Sequence, residues 1–110
     1  MRILAVLFVT LTINANGAGA QTSLSGNDVV PECRVGGKEF VAGICFGVLS
    51  ALALVGGDLR EEFRVCVPAD VTSNQLARVL IEFTRERPQQ MHLDFRFIAL
   101  AALRGAWPCR

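Results

Sequence analysis

Four cysteines, at 33, 45, 66 and 109, a single histidine at 92 and ten carboxylates are the side chains best equipped to ligate a metal, attack a substrate or move a proton. Their spacing argues against the first two uses. The cysteines are 12, 21 and 43 residues apart, so the chain has no C-x2-C unit, and His92 alone cannot complete a Cys2His2 set. A Cys–His nucleophile pair needs a free thiol and a third group to orient the imidazole, and no such group is positioned in the sequence. The chain has no tyrosine, no G-x-S-x-G and no H-E-x-x-H. Ser50 reads as a helix-interior hydroxyl and Ser73 as a first-turn residue, Glu61, Glu62, Glu86 and Asp94 read as solvated charge, and His92 reads as a surface or cap residue in the first turn of a helix. The expectation is therefore no catalytic site, no metal and no cofactor. What remains for the thiols is oxidation to two disulfides, which persist outside the reducing cytosol.

The N-terminus agrees with that address. Arg2 precedes the apolar run 3–13, and Ala18-Gly19-Ala20 supplies the small residues of a signal-peptidase site. A signal peptide cleaved after Ala20 is predicted, with export to the periplasm, a flexible segment over 21–32 and one domain over 33–110. Loss of Arg2 leaves ten basic and ten acidic residues, nine of the basic ones arginine. Neither nucleic acid nor an anionic membrane is favoured by that balance.

Three main helices must position these groups. The first covers 39–55, where Phe40, Val41, Ile44, Cys45, Val48, Leu49 and Leu52 recur at helical spacing and Gly56-Gly57 stops it. Residues 40–57 carry no charge over 18 positions, the lower limit for a membrane span. Four glycines, acidic flanks at Glu39 and Asp58 and the lack of a basic cluster favour a buried core helix instead. Gly43, Gly47 and Ala51 form a strip of small residues along which another helix can pack. The second helix starts at a capping box, Thr72-Ser73-Asn74-Gln75, and buries Leu76, Val79, Leu80 and Phe83, with Arg78, Glu82, Arg85 and Glu86 on its wet side. After the corner Pro88-Gln89-Gln90, a third helix places Met91, Phe95, Ile98, Ala99, Ala102 and Leu103 on its inner face, widened by Leu93, Phe97 and Leu100. Pro108 ends that element. The fold class is all-α, a small disulfide-stapled bundle of three main helices plus short connecting or N-terminal helical turns.

Four cysteines allow three pairings. Cys66 just precedes the second helix and Cys109 just follows the third, so both lie at one end of an antiparallel pair. Cys45 with Cys66 and Cys33 with Cys109 is the preferred arrangement, holding the C-terminus against the N-terminal segment. The two charged connectors, 58–64 and 85–92, are the candidate recognition surfaces. Arginine makes bidentate and stacking contacts, so Arg60, Arg64, Arg85 and Arg87, with Gln89 and His92 in the second connector, are the candidate partner-binding residues.

The order of Cys45-Phe46-Gly47-Val48, Cys66-Val67-Pro68, Val71-Thr72, Gln75-Leu76, the corner leading to His92 and Ala106-Trp107-Pro108-Cys109 resembles the Rap/Tai immunity proteins of type VI secretion. The likeness runs from Cys33 to Cys109. It departs at Gly47, two residues after Cys45, where that family commonly has tyrosine. The resemblance implies a helical periplasmic protein, often a homodimer, that blocks the active-site groove of a secreted peptidoglycan amidase and is itself no enzyme. The alternative is a periplasmic stress or chaperone-like protein, which acts through many titrating groups; ten acidic residues and one histidine offer few.

Overall fold

A computed structural model describes residues 24–110; the expected signal peptide and its cleavage point lie outside the described residues. Among the described residues there are four helices, α1 Gly26–Val29, α2 Glu39–Val55, α3 Ser73–Arg85 and α4 Phe95–Ala106, with one 3-10 turn between α1 and α2, two between α2 and α3 and one between α3 and α4. Among the described residues there is no strand, only an isolated antiparallel bridge between Ser25 and Asp94. The all-α expectation is met.

The most extensive packing is α3 on α4, with α2 laid across α3. Their shared core centres on Leu49, Leu80, Phe95 and Leu103, all fully buried. The α3 start follows from the sequence as expected: Thr72 Oγ1 accepts from the Gln75 amide at 3.2 Å while Gln75 Oε1 accepts from the Thr72 amide at 2.7 Å. Such a reciprocal cap satisfies two amides that the first turn leaves without helical partners. Leu76 and Leu80 are buried, Val79 and Phe83 half-buried, and Ala77 and Thr84 complete the inner face. The Thr84 hydroxyl, the one buried polar side chain among the described residues, is satisfied by the Leu80 and Ile81 carbonyls.

The segment expected to be flexible over 21–32 is folded from residue 24 onward. Gly26 donates to the Leu93 carbonyl at 3.0 Å, Asn27 to Met91 at 2.8 Å, and the Phe95 amide to Leu24 at 2.7 Å. Val29 and Val30 enter the core. Gly26 makes this close approach possible, because a Cβ there would lie 2.6 Å from Ile98 Cδ1 and 2.9 Å from the Met91 carbonyl oxygen. Satisfying exposed amides with the α3–α4 corner and burying two valines outweighs the polar, Gly/Ser-containing local sequence.

The disulfides also differ from the preferred arrangement: Cys33 pairs with Cys45, and Cys66 with Cys109. Cα–Cα separations of 5.5 and 5.0 Å fit ordinary bridges. The first fastens the N-terminal segment to the second turn of α2. The second joins the α3 entry to the α4 exit, at the same end of the antiparallel pair, and is reinforced by the Cys66 amide donating to the Trp107 carbonyl at 2.9 Å.

Helix α2 has the expected bounds, but it is not a buried core helix. Only Cys45 and Leu49 are fully buried; Phe40 is 80% and Leu54 83% exposed. Its most apolar 18-residue stretch within Glu39–Asp58 has a mean hydropathy of 2.2, so by length and composition alone it could cross a bilayer. The helix ends where Val65 backs onto Gly56, leaving no room for a Cβ, and the Val65 amide donates to the Gly56 carbonyl at 3.1 Å.

Capping also shapes the start of α4. Asp94 accepts from the Arg96 amide at 2.8 Å and pairs with the Arg96 guanidinium at 2.6 and 2.9 Å. The guanidinium hydrogen bond, helped by the amide and opposed by partial burial, lowers the Asp94 carboxyl from 3.8 to about 2. A lowered folded-state pKa contributes stability above the unfolded value that is lost as pH falls through the folded one, here between about 4 and 2. Asp94→Ala is expected to cost about 1 kcal/mol at pH 7. Urea unfolding should show wild type and variant converging as the pH reaches 2; a gap that persists there would contradict this assignment.

Candidate functional site: an arginine-bearing contact surface

The six candidate residues fall at opposite ends of the α3–α4 pair. Arg60 and Arg64 flank the 3-10 turn Glu61–Phe63 at the disulfide end. Arg60 is 3.4 Å from Glu62, and Arg64 Nε donates to the Leu59 carbonyl at 3.1 Å, closing the loop on itself. Arg85, Arg87, Gln89 and His92 share the corner beyond the α3 C-terminus. Thirteen residues of α3 separate the two sets, roughly 20 Å at helical rise. They do not form one site.

At the corner, Arg85 pairs with Glu82 at 2.9 Å and is exposed. Arg87 is more constrained than its connector position suggests. Its guanidinium stacks 4.0 Å from the Phe83 ring centroid and donates to the Phe83 carbonyl at 3.1 Å, so this side chain covers the end of α3. Gln89 lies in the exposed turn Pro88–Gln90. His92 is exposed in the turn before α4, not inside the helix, because Asp94 rather than the Pro88 corner sets the helix start.

At the disulfide end, sequence reasoning missed two residues. Arg104 and Arg110 join Arg64 around a trough of about 540 Å3, lined also by Glu61, Gly105, Pro108 and Cys109. Arg104 and Arg110 are 40 or more positions from Arg64 in the chain. The signal that could have found them is the same-end placement of Cys66 and Cys109.

Two further surfaces stand open. On α2, Phe40, Gly43, Gly47, Ala51 and Leu54 are exposed on one side, and a Cβ at either glycine would meet nothing within 4 Å. No described helix packs along this strip. On α4, Phe97 is 65% and neighbouring Leu93 43% exposed, correcting the expectation that they widen the core. Phe95, Ile98, Ala99, Ala102 and Leu103 already fill the inner face, which leaves position 97 pointing away.

Chemically the surface offers guanidinium groups, aromatic rings and small apolar residues, a set suited to protein contact. All four cysteines are in disulfides, and no group of three potential metal ligands occurs among the described residues. Comparison with protein families gives a match to Rap1a immunity proteins over residues 25–109. Among curated proteins and among solved structures, no match to the chain was found.

Proposed function

The chain belongs to the Rap1a immunity protein family, and on that premise we propose that it is a periplasmic inhibitor of a peptidoglycan amidase delivered by type VI secretion. The observation that carries this reading is the reach of the family match, which spans the folded body from the α1 cap through the final disulfide. The physical features agree with it. A leader-like N-terminus and two disulfides suit an exported protein. A cell-wall hydrolase has to be neutralised where its substrate lies. Binding, not chemistry, is the work such a surface can do.

The corner over residues 85–92 is the part of the molecule suited to enter an enzyme groove. It projects from the end of two packed helices, carries Arg85, Gln89 and His92 exposed, and is held by the Arg87–Phe83 stack. A preformed projection loses little conformational freedom on binding, which favours affinity. The exposed α2 strip suits pairing of two copies, since Gly43, Gly47 and Ala51 let backbones approach closely between the bulkier Phe40 and Leu54.

The test is direct. Oxidised chain starting at Gln21 is mixed with the amidase encoded beside it, and release of muropeptides is followed alongside size-exclusion chromatography. A stoichiometric complex with no residual hydrolysis is expected. Full amidase rate and separate elution at micromolar concentrations would defeat the proposal.

A further inference from the structure

We propose that the arginine trough at the disulfide end is a second contact surface, separate from the corner, that receives an acidic segment of the amidase. This inference rests on the inhibitor reading above.

The local charge sets it apart. Over the whole chain basic and acidic residues nearly balance, yet three arginines and one glutamate line this trough. The ion pairs among the described residues use Arg60, Arg85, Arg87 and Arg96. Arg64, Arg104 and Arg110 have no carboxylate within pairing distance there. A guanidinium is a planar donor matched to carboxylate, and three converging on an open trough attract a stretch with several carboxylates more than a single small anion.

The approach to the trough points to a polypeptide. Phe97, Ala101, Arg104 and Gly105 follow one another at i, i+4, i+7 and i+8 along α4, and all four are exposed. This outer stripe runs about 12 Å at helical rise and leads into the trough, where Arg104 and Gly105 form part of the lining. Exposed phenylalanine and arginine are both enriched at protein interfaces relative to the rest of the surface. The Cys66–Cys109 bridge fixes the two walls to each other, so the backbone positions that carry the arginines keep their spacing before any partner arrives.

Arg104→Glu/Arg110→Glu is the informative variant, because no hydrogen bond or ion pair within the described structure uses either side chain. Binding of the neighbouring amidase to immobilised wild type, to this variant, to Phe97→Ala and to Arg78→Glu would be measured by surface plasmon resonance at 50 and 300 mM salt. Thermal melts would confirm that each variant folds. The double variant is expected to bind at least about 50-fold more weakly, chiefly through a slower on-rate at low salt, with Phe97→Ala about 10-fold weaker and Arg78→Glu unchanged. Amidase binding within twofold of wild type by the folded double variant overturns this surface while leaving the inhibitor reading intact. Loss of self-association without loss of amidase binding also overturns it, assigning the trough to a second copy. Wild type that binds no amidase removes the inhibitor reading and this surface together.

Discussion

Replacing Cys66 and Cys109 together by alanine is expected to lower the unfolding free energy by about 4 kcal/mol, against about 3 kcal/mol for Cys33 and Cys45. The difference follows from loop length, since the bridges span 43 and 12 residues and a longer closure removes more freedom from the unfolded chain. Either loss is comparable with the whole margin of a small domain at roughly 0.05–0.15 kcal/mol per residue. The bridges also differ in access. Cys33 and Cys45 are buried and Cys66 is exposed, so limiting reductant should open Cys66–Cys109 first. Alkylation followed by peptide mass analysis reads the order, and prior opening of Cys33–Cys45 would contradict it.

Phe95→Ala is expected to cost about 3–5 kcal/mol. Phe95 is the largest fully buried side chain, at the first turn of α4 where the N-terminal segment, α3 and α4 converge. The same truncation two residues on, Phe97→Ala, should stay within about 0.5 kcal/mol because that ring faces solvent. Urea unfolding of the pair provides the check. Equal losses would mean that the inner face of α4 has been misplaced.

That contrast shows what local sequence could and could not convey. The bounds of α2 and the capping box of α3 were legible because each rests on neighbouring residues: a glycine stop in one case, Thr72 with Gln75 in the other. The buried side of α2 was not, since apolar residues surround that helix and no polar face marks the outside. Residues 24–32 looked like a tail for a similar reason. The Gly26 and Asn27 amides are satisfied by Leu93 and Met91, some 65 positions away in sequence, and nothing local announces such partners. On α4, Phe95 and Phe97 both suit a core, and only the packing of α3 decides between them.

The candidate site was legible in part. Arg64 stood out from its charged connector, and Arg85, Gln89 and His92 do share one exposed corner. Arg104 and Arg110 escaped because no run of charge marks them; a covalent bond between distant residues brings them to Arg64. The placement of Cys66 and Cys109 at one end of the antiparallel pair already contained that pairing. The preferred arrangement instead joined the C-terminus to a segment whose partner proved to be α2.

Seen as a covalent graph, the protein is two closed rings, 33–45 and 66–109, connected by the single tether 46–65. One peptide cleavage inside either ring, including the projecting corner at 85–92, releases no fragment. An inhibitor clipped by a protease there would keep both of its halves on the same molecule, and only a cut in the tether would part the two rings from each other.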